Sequence, residues 1–460
     1  MFDYFTRFGR MATAYKAKIL CSGIFVSGRS EASVLSEDLA ADGLWPLRSL
    51  QATVDHKAQT VTVSLLGKFK SVALYRPGLG STLVIDTTGD ELRSQLSPFH
   101  PQTQKTITTT TPLPTAKPTT AKPTTAKPTE INTDRLSRVI DDAFTESNPT
   151  KLKRTRAIVV VQHGKVIAER YAEGFTPHTP LLGWSVAKSV VNALIGILVR
   201  QGKLSVDSQD LLKAWRNPGD TRREITLNHP LQMSSGLAFS ESYSNPLSDV
   251  TTMLFQRKDG AKYVAERPAK TAPGQQYEYI SGATVLLCQV IREIVGGSLA
   301  DYWAFPRQAL FNRIGMSSAV LEVDASGTFV GSSFMYATAR DWAKLGLLYL
   351  QDGQWEIDGK WERILPAGWI KYSTAPSQNA DFYGAHIWRG VPNSFTSKPR
   401  SDDDWPSGAY LAAGYQGQFV TVIPDKELVV VRLGLSVRQH SWDQVQFIKQ
   451  ILLALTTQQY

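Results

Sequence analysis

From Pro101 to Thr129 the chain is dominated by Thr, Pro, Lys and Ala, and it closes with the repeat Thr-Ala-Lys-Pro-Thr running from Thr115 to Thr129. Such a tract carries too few apolar side chains to offset the entropy of ordering it. Its prolines favour an extended, semi-rigid spacer. Folding is therefore expected on either side: a small module over 31–99, a linker over 100–132, and a large domain over 133–460. The linker suggests that module and domain move independently, and a module packed against the domain is equally compatible. Thr/Pro-rich stalks are common outside the cytoplasm, a compositional hint that leaves the compartment open.

The remaining composition bounds the function. With 460 residues, 42% hydrophobic and 20% charged, the chain has an ordinary globular balance and enough length for a large core. Two cysteines, Cys21 and Cys288, exclude a disulfide framework or a cysteine-rich zinc site. No apolar run approaches the roughly 18 residues of a membrane-spanning helix. The net charge is +9. Residues 1–132 hold 15 Lys+Arg against 10 Asp+Glu, and residues 133–460 hold 35 against 31. The large domain is nearly balanced, which argues against nucleic acid as a partner. Arg7, Arg10, Lys16 and Lys18 read as a solvated basic tail. Within residues 1–30, KILCSGIFVSG follows basic residues as a leader would. Lys16 and Lys18 crowd it, however, no Ala-x-Ala site follows, and Cys21 lacks the small preceding residue of a lipid anchor.

Thr60–Leu66 alternates like a half-buried strand. Ser71–Tyr75 and Ser81–Ile85 are two more β-prone runs, with Pro77-Gly78 as the turn between them. Past the linker, Thr133–Glu146 predicts an amphipathic helix, and Ala157–Val161 with Val166–Tyr171 predicts a hairpin. Phe419–Ile423 with Leu428–Leu433 predicts a second hairpin, and Trp442–Leu455 a final helix. The economical packing is α+β: one antiparallel sheet unites both hairpins, with the terminal helices on one face. Residues 185–400, mostly helix and loop, then form a helical subdomain.

Three elements carry candidate chemistry. Gly183-Trp184-Ser185-Val186-Ala187-Lys188-Ser189 precedes the apolar helical run Val190–Val199, which puts Ser185 near a helix N-terminus and Lys188 one turn on, along the same face. A serine hydroxyl needs a nearby base to act as a nucleophile. A lysine desolvated by Leu181, Leu182, Trp184, Val186 and Ala187 loses its proton more readily and could serve. The helix terminus favours a developing oxyanion. By itself Ser-x-x-Lys reads rather as a serine cap with a solvated lysine, and it is the apolar context that shifts the reading. Second, Tyr279 and Ser281 sit at a loop-to-helix junction before Ala283–Val295. A phenol beside an ammonium can act as a base; the plain alternative is a core aromatic with a serine cap. Third, Ala412-Ala413-Gly414-Tyr415-Gln416-Gly417-Gln418 leads into the strand 419–423. Gly414 permits close backbone approach, and a strand-edge N–H is an oxyanion donor; the alternative is a glycine-rich turn.

In this order and spacing the three elements resemble the serine β-lactamase/penicillin-binding superfamily. They are most similar to the class C β-lactamase-related branch with its 6-aminohexanoate-dimer hydrolases and carboxylesterases. ITLNHPLQMSSGL (225–237), LFNRIGM (310–316), ATARDWAKLGLLYLQDGQW (337–355) and GQFVTVIPDKELVVVRLG (417–434) are similar too, so the resemblance covers 133–460. KILCSGIFVSG also resembles a leader found ahead of this domain in such hydrolases. The resemblance implies a β-lactamase/transpeptidase-like α+β fold and a small-molecule amide or ester substrate, with no metal or cofactor. It implies Ser185 as the acylated nucleophile, Lys188 as proton relay, Tyr279 as base and then acid, and Ser281 completing the tyrosine motif. The N–H groups of Ser185 and Tyr415 would form the oxyanion hole.

One departure bears on the substrate. Where β-lactamases and peptidases of the superfamily carry Lys-Thr-Gly or a His variant, this chain has Ala412-Ala413-Gly414. The lost charged hydrogen bond to a substrate carboxylate is worth roughly 1.5–3 kcal/mol. Poor penicillin hydrolysis is thus expected, with β-lactamase or D-Ala-D-Ala peptidase activity the competing reading. A binding protein on an inactive hydrolase fold is disfavoured by the joint presence of Ser185, Lys188 and Tyr279. A Ser-His-Asp hydrolase would need His229 or His386, and Gly183-Trp184-Ser185-Val186-Ala187 misses the last glycine of Gly-x-Ser-x-Gly. The oligomeric state is not legible.

Overall fold

The computed structural model describes residues 2–41, 45–95, 131–243, 245–396 and 405–455. Apart from residues 131 and 132, the expected linker lies outside them. Before it come α1 (Phe2–Phe25), α2 (Glu31–Ser36), the strands β1 (Gln51–Asp55), β2 (Thr60–Leu65), β3 (Phe69–Arg76) and β4 (Gly80–Leu83), and α3 (Gly89–Ser94). The four strands form an antiparallel sheet in sequence order, with Thr60 opposite Leu74 and Ala73 opposite Leu83. α1 lies across this sheet and buries Ala17, Leu20, Cys21 and Ile24. At Gly9 a Cβ would come within 2.7 Å of the Phe69 ring, so the missing side chain sets how closely helix and sheet approach. Lys16 and Lys18 are each 3% exposed, which overturns their reading as solvated tail charges. Lys16 Nζ is bonded to the Leu47 and Leu50 carbonyls at 2.9 and 2.7 Å.

The larger unit begins with α4 (Thr133–Phe144), β5 (Thr155–Gln162) and β6 (Lys165–Tyr171), and ends with β12 (Tyr410–Gly414), β13 (Gln418–Ile423), β14 (Leu428–Gly434) and α13 (Gln444–Ala454). Between them lie β7 (Leu181–Leu182), α5 (Ala187–Arg200), α6 (Asn228–Leu231), α7 (Asp249–Gln256), α8 (Gly260–Ala265), α9 (Ser281–Val295) and α10 (Leu299–Pro306). Next come β8 (Val320–Leu321), β9 (Met335–Ala337), α11 (Ala339–Leu350), β10 (Gln354–Ile357), β11 (Lys360–Arg363) and α12 (Trp369–Thr374).

The five-stranded sheet runs β12-β13-β14-β5-β6, antiparallel throughout, so β14 of the second hairpin pairs directly with β5 of the first. β5 alternates between two buried faces. Ile158 and Val160 join α4 and α13 on one side. Val159 and Val161 face the main core on the other. Asn132 N donates to Ala454 O at 3.0 Å, tying the start of α4 to the end of α13. Gly346 lets α11 press on the sheet, because a Cβ there would fall 2.6 Å from Val429. A small sheet, β7-β9-β8, leads from the core to the residues before Ser185. The fold is the α+β arrangement expected, with two hairpins in one antiparallel sheet and a mostly helical middle. Among the described residues no single helix is long and apolar enough to cross a membrane.

Candidate active site

β7 delivers the chain to a single 3-10 turn, Trp184–Val186, which runs into α5. Trp184 adopts φ +47°, a conformation that costs a bulky residue free energy and is retained where its surroundings over-determine it. Here the indole Nε1–H donates to Gln416 Oε1 at 3.1 Å, and its ring meets those of Tyr415 and Phe334 at 5.6 and 5.9 Å. The turn holds Ser185 half-buried, while Lys188 is 1% exposed.

Lys188 Nζ is bonded to Ser185 Oγ at 2.9 Å, Ser281 Oγ at 3.2 Å and Ser332 O at 3.0 Å. Burial pushes the ammonium down to about 8, and Glu241 opposes the shift in part. Tyr279 presents its ring to the same ammonium, 4.9 Å from centroid to Nζ. It is packed by Tyr383 at 5.9 Å and Trp388 at 5.5 Å. Burial drives the Tyr279 phenol far up, with a hydrogen bond to Ser185 acting against it. At rest the phenol is therefore protonated, and Lys188 is the readier proton acceptor.

The third element packs against the nucleophile turn. Gly414 ends β12 against the nucleophile turn: a Cβ there would stand 2.2 Å from Gly183 O and 3.2 Å from Ser185 N. This approach brings the β12 end, and Tyr415 after it, beside the Ser185 amide. Gly414→Ala is expected to force these backbones apart and slow acylation about tenfold, measured as the rate of irreversible labelling by a fluorophosphonate. Tyr415 and Tyr243, 36% and 41% exposed, stack at 5.3 Å beside the nucleophile turn.

The structure thus brings together Ser185, Lys188, Tyr279, Ser281, Gly414 and Tyr415. It also adds Glu241 and Tyr243, which the sequence reading missed. Glu241 accepts from Ser281 N at 2.8 Å, Ser281 Oγ at 2.5 Å and the Tyr243 hydroxyl at 2.6 Å. The loop carrying both is pinned by Ser240 and Asp249, whose side chains cap one another's backbone N–H groups. The two histidines lie elsewhere. His386 is buried beneath α5, with Nδ1 3.1 Å from Lys188 O and Nε2 3.2 Å from Thr284 Oγ1, and burial holds it neutral, down to about 3. His229 Nδ1 accepts from Thr226 N at 2.9 Å.

Comparison with known proteins follows this geometry. The family model described as Beta-lactamase matches residues 151–443. A curated relative, 6-aminohexanoate-dimer hydrolase of Paenarthrobacter ureafaciens, is 24% identical over 298 residues, spanning 61% of this chain and 72% of its own length. Two solved structures share the fold. A penicillin-binding protein homolog from Caulobacter crescentus has TM-score 0.53 and 15% identity, covering 72% of this chain and 99% of its own. A family VIII carboxylesterase has TM-score 0.52 and 12% identity, covering 72% and 98%. The family match spans more than half the chain and includes the serine, lysine, tyrosine and glycine elements, so this chain belongs to the β-lactamase family of hydrolases.

Proposed function

We propose that the chain cleaves small amides or esters through an acyl-enzyme on Ser185. The observation that carries this reading is the buried Lys188 ammonium 2.9 Å from the Ser185 hydroxyl. Lysine in its neutral form takes the Oγ proton as Oγ bonds to the substrate carbonyl carbon. The negative charge that develops on the carbonyl oxygen is received by the Ser185 and Tyr415 N–H groups. Tyr279 gives its proton to the leaving nitrogen or oxygen as that bond breaks, and the Lys188 ammonium restores it. Water, deprotonated along the same path, then releases the acid and frees Ser185. Glu241 holds Ser281, and so the far side of Lys188, in place.

Substrate choice follows from β12. Ala412 and Ala413 offer no cation for a carboxylate, and Tyr415, which follows Gly414, stacks on Tyr243. Amides and esters without a carboxylate at that position suit the site better than penicillins. The test is intact-mass and peptide mapping after fluorophosphonate treatment, with p-nitrophenyl acetate and nitrocefin turnover measured in parallel. One adduct on the Ser185 peptide, with ester turnover at least about tenfold above nitrocefin turnover, is the expected result. Rapid nitrocefin turnover would put β-lactamase activity ahead, and no adduct on folded protein would overturn the acyl-enzyme.

A further inference from the structure

The chemistry above leaves α1 unused, yet the buried polar groups of this helix reach the elements that carry the catalytic pair. Lys18 Nζ lies 2.5 Å from Glu322 Oε2, and Glu322 is fully buried. The other carboxylate oxygen accepts from Ser22 Oγ at 2.9 Å and from Ser81 N in β4 at 2.7 Å. Lys18 also donates to Ser81 O. A charge so deeply buried is tolerated only when paired and hydrogen-bonded, and here both carboxylate oxygens are engaged by the N-terminal module. Lys18, Cys21 and Ser22 belong to the segment KILCSGIFVSG, for which the hydrolase motifs give no use.

Glu322 directly follows β8, and its backbone is bonded twice to the stretch before β9. Glu322 N donates to Phe334 O and Val330 N donates to Glu322 O, each at 2.9 Å. That stretch turns between α5 and α9. At Gly331 a Cβ would come within 2.5 Å of Val191 and 2.7 Å of Cys288 Sγ. It then delivers its groups to the catalytic motif. Ser332 O sits 3.0 Å from Lys188 Nζ, and Met335 O accepts Gly183 N at 2.9 Å. The Phe334 ring receives the Lys18 ammonium at 4.6 Å and packs on Trp184 at 5.9 Å. Residues 330–335 thus touch the Lys18–Glu322 pair on one side and both ends of the Gly183–Lys188 motif on the other.

We propose that Lys18 and Glu322 are positioning residues for the reaction: α1, clamped to Glu322, fixes the 330–335 stretch, whose Ser332 carbonyl orients Lys188 and whose Met335 carbonyl holds Gly183 ahead of Ser185. The proposal rests on the acyl-enzyme reading. Replacing a buried ion pair by neutral side chains often leaves stability nearly unchanged, so a purely structural pair and a positioning pair separate experimentally.

The variant Lys18→Met/Glu322→Gln, made in the full chain, removes both charges and keeps the oxygen that accepts from Ser22 and Ser81. Its labelling rate at Ser185 and its ester kcat are expected to fall about tenfold with KM little changed. The acid limb of kcat should move to lower pH, because a lysine that loses a carbonyl acceptor is less well held as ammonium. Val63→Ala, buried in the module's own sheet and outside this path, should lower Tm with kcat and the limb unchanged. If the double variant does not fold, Ser22→Ala removes one bond to Glu322 and is expected to lower kcat about twofold to threefold, with the same direction of shift. A folded variant with wild-type kcat and limb overturns the proposal. An unlabelled wild type removes the acyl-enzyme reading, and this inference with it.

Discussion

Lys188→Met is expected to slow acylation of Ser185 about a thousandfold, within the range for loss of a general base. Methionine keeps much of the volume and apolar stem but has no proton to accept or give. Wild-type activity should climb about tenfold per pH unit and level off above the buried ammonium's value of about 8, since only the neutral amine accepts the serine proton. That limb should vanish in the variant. Stability also rises with pH, but in a higher window. The unfolded chain binds a proton at Lys188 up to its ordinary value and the folded chain gives it up near 8, so wild-type stability rises with pH between about 8 and 10.5. At pH 7 the variant should therefore unfold at a temperature no lower than wild type. Stopped-flow labelling and thermal melts across pH 6–10 check both. A variant that is slow because it is unfolded, or fast despite its methionine, would refute the assignment of Lys188 as base.

The second large effect concerns stability. Asp38 joins Arg156 on β5 to Arg29 after α1. Its carboxylate receives Arg156 Nη1 and Nη2, each at 2.8 Å, and Arg29 Nη1 at 2.5 Å. The two guanidiniums share the Phe175 ring, at 5.1 and 4.9 Å, and share Glu37 at 3.0 and 3.1 Å. Asp38→Ala would leave both cations, 10% and 5% exposed, facing one carboxylate. The expected cost is about 3–5 kcal/mol, read by denaturant unfolding. Burial raises the Asp38 carboxyl, but Arg156 and Arg29 outweigh it and hold it below the ordinary aspartate value. Its contribution is thus complete above about pH 4, the value in unfolded chains, and is lost as pH falls through the lower folded value. The acid-side fall in stability should be shallower in Asp38→Ala. An unchanged unfolding free energy would show that the module is not held through this cluster.

The hairpins were legible because short apolar runs on either side of turn residues are a local signal, as in Ala157–Val161 and Val166–Tyr171 around Gln162-His163-Gly164-Lys165. The Ser185–Lys188 pair was legible for the same reason, since helical periodicity alone puts the two on one face. Tyr279 and Gly414 needed the resemblance, because a tyrosine before a helix and a glycine before a strand are commonplace. Glu241 and Tyr243 were missed because their loop has no periodicity. The one local sign was Ser240, nine residues before the Asp249 that pins it. Glu322 was missed for a different reason: its partners, Lys18 and Ser81, lie beyond the Thr/Pro/Lys tract. A pairing across that separation leaves no local pattern, and composition alone made Lys18 a tail charge.

The pairing of β14 with β5 carries a consequence for biosynthesis. Gln162 lies opposite Leu428, so the apolar strand β5 leaves the ribosome long before its central neighbour exists. At roughly 5–20 residues per second the wait is on the order of tens of seconds. Throughout it, β5 has only the β6 edge satisfied, and a free edge of Ile and Val residues is a template for pairing with other chains. The nascent hydrolase should thus be a client of holding chaperones until its C-terminal hairpin is made, and its yield should respond to translation rate more than to the stability of the finished fold.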